Sequence, residues 1–137
     1  MRVLAVDPGD KRIGIAISDP TGTIANPLVV IEHASRPIDA ATIAQLAREN
    51  SVGLIIVGVT YDEEGDLSPQ GRHGSRLADA IRTQTELPVE LWDESGSTKA
   101  VINARIALGS PRRKRKGHLD HLAATYILQT YLDSRPS

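Results

Sequence analysis

The chain has no cysteine and no phenylalanine, and aromatic residues make up only 3% of its 137 positions. The first absence excludes thiol nucleophiles, disulfide staples and Cys-ligated zinc, and it is compatible with a reducing compartment. The shortage of rings leaves little on which bases could stack, so RRM-type and OB-type platforms are hard to build. Any nucleic-acid contact is expected to run mainly through phosphates. Charge of neither sign dominates, with 16 Lys and Arg against 17 Asp and Glu and a formal net charge of −1. What matters is therefore where the cations sit. No apolar stretch reaches transmembrane length, and Asp7 and Asp10 interrupt any signal-peptide pattern. P-loop and nucleophile-elbow motifs are also missing. The expectation is a soluble, cytoplasmic protein without a membrane partner, built as one domain over residues 1–137.

The N-terminus, MRVLAVDPGDKRIG, is a short apolar strand from Arg2 to Val6 that ends on the carboxylate Asp7 and runs into the turn Pro8-Gly9-Asp10. Ile13–Ser18 and Pro27–Glu32 are two more apolar runs with short links, which predicts an antiparallel meander. Pro37 opens a helix to Asn50, and Gly53–Val59 reads as a strand buried on both faces and parallel to an earlier one. Thr60–Gln70 is a polar loop, taken as a candidate lid, before a helix around Leu77 to about Thr85. Pro88–Trp92 gives a fifth strand ending in Asp93-Glu94. Ser97 or Thr98 can cap a helix through Leu108; the basic run Arg112–Lys116 follows, then a last helix with Asp120 in its first turn. This order of elements predicts an α/β fold with a mixed five-stranded sheet, three antiparallel strands and then parallel ones, flanked by helices.

Asp7, Asp93 or Glu94, and Asp120 stand at two strand ends and one helix start, positions from which side chains converge on the crevice of an α/β sheet. Taken singly, Asp7 could be a turn former and Asp120 a complement to its helix's positive end. Taken together, hard carboxylate oxygens suit Mg²⁺ or Mn²⁺, and two such ions can activate a water and stabilise a leaving oxygen in phosphodiester cleavage. Strand alternation sends Asp93 and Glu94 to opposite faces; Glu94 is placed ahead as ligand, with Asp93 as its neighbour. Lys11 and Arg12 sit where a scissile phosphate would lie. Arg112, Arg113, Lys114, Arg115 and Lys116 form a concentrated positive field that favours a polyanion. Thr98 and Lys99, just beyond the second acidic strand end, are further candidates for nucleic-acid contact. His118 and His121 are assigned no role.

The chain resembles the YqgF or RuvX-like family of Holliday junction resolvases and pre-16S rRNA processing nucleases. Asp7-Pro8-Gly9-Asp10-Lys11-Arg12-Ile13-Gly14 matches that family's D-x-G-T-K-R-I-G opening. Val57–Gly65 lines up with V-G-L-P-L-N-x-D-G, and Trp92–Thr98 with W-D-E-R-x-S-T. Leu119–Ala124 and Ile127–Leu132 are similar to its V-D-x-x-A-A...I-L-Q-x-Y-L ending. The resemblance implies an RNase H-like fold and a metal-dependent nuclease acting on structured RNA, branched DNA or both. A symmetric resolvase needs two active sites, which is compatible with a homodimer. Three departures stand out: Asp10 for Thr, Thr60 for Pro, and Ser95-Gly96 for an Arg and an apolar residue, which removes a planar phosphate clamp. The competing reading is a non-catalytic nucleic-acid-binding factor in ribosome assembly or transcription. A third, an actin-like or sugar-kinase ATPase, shares the D-x-G-T opening but needs a second domain and a second phosphate loop.

Overall fold

Three strands form the antiparallel meander: β1 (Arg2–Pro8), β2 (Arg12–Ser18) and β3 (Ala25–Glu32). The computed structural model describes residues 1–94 and 115–135, with side chains of the last helix described from residue 122 onward. Register sets Asp7 opposite Gly14 and Arg12 opposite Glu32. The β1–β2 turn closes on a Gly9 N–H donating to the Arg12 carbonyl at 3.1 Å. A side chain at position 9 would meet that carbonyl at 2.3 Å, so only glycine fits the turn.

Helix α1 (Arg36–Glu49) follows, with Ser35 as its N-cap and Pro37 in its first turn. Strand β4 (Val52–Val59) returns parallel to β1 and is nearly all buried, as its continuous apolar run requires. Helix α2 (Pro69–Arg82) leads to β5 (Val89–Asp93), parallel to β4. The sheet order is β3-β2-β1-β4-β5.

Two expectations about helices need correction. Helix α2 starts eight residues before Leu77 and ends at Arg82 rather than Thr85. Gly71 and Gly74 look like breakers in sequence, but a Cβ at 71 would lie 2.2 Å from the Thr60 carbonyl and one at 74 would lie 3.0 Å from the Gly58 carbonyl. They let the helix press onto β4, and Ser68 caps it by accepting from the Gly71 N–H at 3.0 Å. The expected lid shrinks accordingly to a self-braced turn, in which Tyr61 bridges Leu67 and Asp62 Oδ1 accepts from the Glu64 and Asp66 N–H groups. The last helix, α3 (Arg115–Ser134), begins within the basic run, so Arg115 and Lys116 are helical and Asp120 lies in the second turn. Arg and Lys are good helix formers, and one Gly117 costs about 1 kcal/mol, too little to stop the helix there. The helix expected up to Leu108 lies outside the described residues.

The sheet is covered on both faces. Helices α1 and α2 bury Leu4, Val6, Ile13, Ile15 and Val57 with Ile43, Leu77 and Ile81. Helix α3 covers the other face, where Val3, Ala5, Ala16, Leu54 and Ile56 meet Ala124, Ile127, Leu128 and Leu132. The C-terminal part of α3 is tied to the start of β3, because Gln129 Oε1 accepts from the Ala25 N–H at 3.0 Å. Its N-terminal part therefore points toward the opposite end of the meander, where β1 finishes.

Candidate active site

Alternation along β1 sends Val3 and Ala5 to the α3 face, and Asp7 continues that row at the strand's end. The neighbours of Asp7 on both sides are glycines. Gly14 is its partner on β2, and Gly58 is the next residue along β4 after the Val6 and Val57 pair. Neither of these neighbouring positions adds a side chain beside the carboxylate. Asp7 itself is half-buried.

On β5 the same face carries Glu90 and Trp92. The Tyr131 hydroxyl donates to Glu90 at 3.4 Å, and Trp92 Nε1 donates to Thr130 Oγ1 at 3.0 Å, with the Trp92 ring edge-on to Tyr131. Glu94 falls next in this row. Its Oε2 is buried, and its carboxylate folds back over β4: a Cβ on Gly58 would lie 2.5 Å from Glu94 Oε2 and 2.9 Å from Ile127 Cδ1. Gly58 thus leaves the space that the Glu94 carboxylate fills between β5 and β1. Asp93 pairs with Val59, whose Cγ1 packs by Gly74 of α2, so Asp93 is exposed at the edge of the opposite face.

Position 120 lies two turns before Ile127 on one stripe of α3, on the helix half nearest this strand end. The side chain of Asp120 is outside the described residues. Lys11 and Arg12 are exposed in the β1–β2 turn beside Asp7. Arg115 and Lys116 open α3, with side chains outside the described residues. Thr98, Lys99, Arg112, Arg113 and Lys114 are outside them altogether.

An oxygen-ligated cation suits this donor set. Asp7 and Glu94 belong to one sheet face at the same strand end, on either side of Gly58, and both offer hard carboxylate oxygens. A different acidic group lies on the β4–α2 loop, where carboxylate oxygens of Asp62, Glu64 and Asp66 are within 4.8 Å of one another. All three are exposed, and Asp62 is occupied in bracing its own turn.

A family model described as RuvX, Holliday junction resolvase, matches residues 1–134. The chain belongs to the RuvX family. Its relatives include a protein of Thermoanaerobacter pseudethanolicus named "Putative pre-16S rRNA nuclease", 42% identical over 136 residues, covering 98% of each chain. One of the same name from Clostridium novyi is 37% identical, covering 98% of this chain and 99% of its own. Among solved structures, RuvC of T. thermophilus in complex with Holliday junction substrate superposes with a TM-score of 0.57 at 14% identity, covering 98% of this chain and 97% of that one. That likeness bears on the fold, which is RNase H-like as expected. Family description and relatives' names agree on a nuclease.

Sequence reasoning overlooked Gly58, which makes room for the Glu94 carboxylate beside Asp7. An isolated glycine inside an otherwise apolar buried strand is the signal that pointed to it, because such a residue marks a close approach.

Proposed function

We propose that this RuvX chain is a divalent-metal-dependent nuclease that cleaves phosphodiester bonds in structured nucleic acid in the cytoplasm. Asp7, Glu94 and Asp120 are the catalytic and ligating acids, with Asp93 as a neighbour. The observation that carries the reading is the Glu94 carboxylate lying over Gly58, on the sheet face and at the strand end of Asp7. Asp7 and Glu94, completed by Asp120 from α3, would hold Mg²⁺ or Mn²⁺. When bound, such an ion lowers the pKa of water and offsets charge on the leaving oxygen. Gly58 makes room for the Glu94 carboxylate, and Gly14 on the other side of Asp7 adds no side chain to the floor. Lys11 and Arg12 meet phosphate oxygens beside the cleaved bond and fix its orientation. Thr98, Lys99 and the cations from Arg112 to Lys116 extend the electrostatic hold along the polyanion.

The relatives named for pre-16S rRNA support RNA precursor as the natural substrate, and the family description supports branched DNA. Mapping the products from labelled precursor rRNA and a labelled four-way DNA junction, with Mg²⁺, with Mn²⁺ and with chelator, tests the proposal. Metal-dependent cleavage of either substrate is expected. Tight binding with no cleavage under any ion would instead establish the non-catalytic factor. A homodimer, which would present two such sites to a symmetric junction, is expected to appear by sedimentation if the junction is the better substrate.

A further inference from the structure

Strand β5 is an edge of the sheet, and the apolar layer beneath α3 draws one β5 residue from the described ones, Trp92. Val89 and Leu91 pack on the side of α1 and α2. Side chains therefore carry β5 to α3. Trp92 Nε1 donates to Thr130 Oγ1 at 3.0 Å, and Thr130 Oγ1 donates to the Ile127 carbonyl at 2.8 Å, so the hydroxyl proton is committed and a lone pair is left for the indole. The indole also stands edge-on to the Tyr131 ring, with centroids 5.1 Å apart. Ile127, at the far end of this chain of bonds, closes on the site itself. Its Cδ1 and Glu94 Oε2 flank one point above Gly58, at 2.9 and 2.5 Å from where a Cβ would stand.

We infer that Trp92 and Thr130 are positioning residues for Glu94: their hydrogen bond sets how far the end of β5 stands from α3, and so where the Glu94 carboxylate lies over Gly58. The inference rests on the reading of Glu94 as a metal ligand. Glu94 is two residues beyond Trp92 on the same face of β5, about 7 Å along the strand, so a displacement at the indole passes on to the carboxylate. Pairing with β4 restrains β5 as far as Asp93, opposite Val59, and stops one residue short of Glu94. Ring packing does not fix the distance by itself. Edge-on pairs tolerate a range of offsets, whereas a hydrogen bond weakens steeply once it is lengthened or bent. Tryptophan brings both the ring and the donor, and a phenylalanine in the same place would keep the packing and lose the tie.

The test is a Mn²⁺ titration of the full chain without nucleic acid, read by the fluorescence of Trp92, its single tryptophan, and by electron paramagnetic resonance of the free ion. In the parent, a paramagnetic ion held at Glu94 should quench Trp92 emission, and Glu94→Gln should lose that quenching. Thr130→Val, which keeps the shape of the side chain and removes its oxygen, is expected to weaken Mn²⁺ binding by about tenfold. Thr130→Ser, which restores the oxygen, should stay within about twofold of the parent. Trp92→Phe, followed by resonance alone, should match Thr130→Val and carries the test if that variant fails to fold. A tie that serves stability alone would lower the melting temperature of Thr130→Val and leave its Mn²⁺ affinity at the parent value, which would overturn the inference. An equal loss of affinity in Thr130→Ser, or a parent-like affinity in Trp92→Phe, would overturn it too. A parent that binds no Mn²⁺, or whose quenching persists in Glu94→Gln, fails the ligand reading of Glu94 first and the inference with it.

Discussion

Asp7 and Asp19 stand at successive strand ends of one β-hairpin, and their surroundings differ in every respect that matters. The carboxylate of Asp19 is consumed by its own turn. Its Oδ1 accepts from the N–H groups of Thr23 and Ile24 at 2.8 Å each, and its Oδ2 accepts from that of Thr21 at 3.1 Å. These bonds, that from Ile24 foremost, hold its carboxyl far below the ordinary carboxylate range. Asp7 instead lies on a sheet face with glycines beside it on both adjacent strands, one of which makes room for a second carboxylate. An aspartate at a strand end is thus a turn former where backbone donors surround it. It is a candidate ligand where small residues and another acid do.

The largest effect that would sharpen this contrast is on β5. Glu94→Gln is expected to lower the single-turnover rate by about 100-fold or more, and Asp93→Asn by no more than about threefold. The reverse order would exchange their roles, and two negligible effects would remove β5 from the site. Gly58→Ala should cost about tenfold or more in rate with little change in overall fold, because the new methyl displaces the Glu94 carboxylate. Raising the metal concentration should recover part of that loss. Neutralising Arg112, Arg113, Lys114, Arg115 and Lys116 should weaken binding while largely keeping the rate from the bound complex. The slope of log K against log salt should flatten by about one unit for each phosphate that the protein no longer neutralises. An unchanged slope would mark the run as a solvated surface.

The smallest effect concerns Asp19 and stability alone. Its folded-state pKa is depressed, so its contribution is present above the unfolded value of about 4 and is lost as pH falls from there toward the folded value. Thermal melts of Asp19→Asn and the parent should differ near neutrality and converge in strong acid. A constant difference across that range would contradict the hydrogen-bond account of the shift.

The strands are legible in the sequence, because continuous apolar runs such as Gly53–Val59 have no better home than a buried sheet. The start of α2 is not, because Gly71 and Gly74 break a helix in isolation and favour one where a neighbouring carbonyl comes that close. The choice of Glu94 over Asp93 needs a known direction for β5, since alternation separates the two without saying which face carries Asp7. Asp39 escapes notice because periodicity arguments follow apolar residues. A buried carboxylate is visible only once its partners His33 and Ala34 are folded against it.

The claim that the open strand end performs the chemistry is tested most directly by pairing the two aspartates. Single-turnover cleavage of labelled precursor rRNA and four-way junction would be measured with Mn²⁺ for the parent, Asp7→Asn and Asp19→Asn, beside their melting temperatures. The account predicts that Asp7→Asn loses cleavage by at least about 100-fold with its melting temperature nearly unchanged, and that Asp19→Asn keeps its rate while melting earlier. Wild-type cleavage by Asp7→Asn would contradict it.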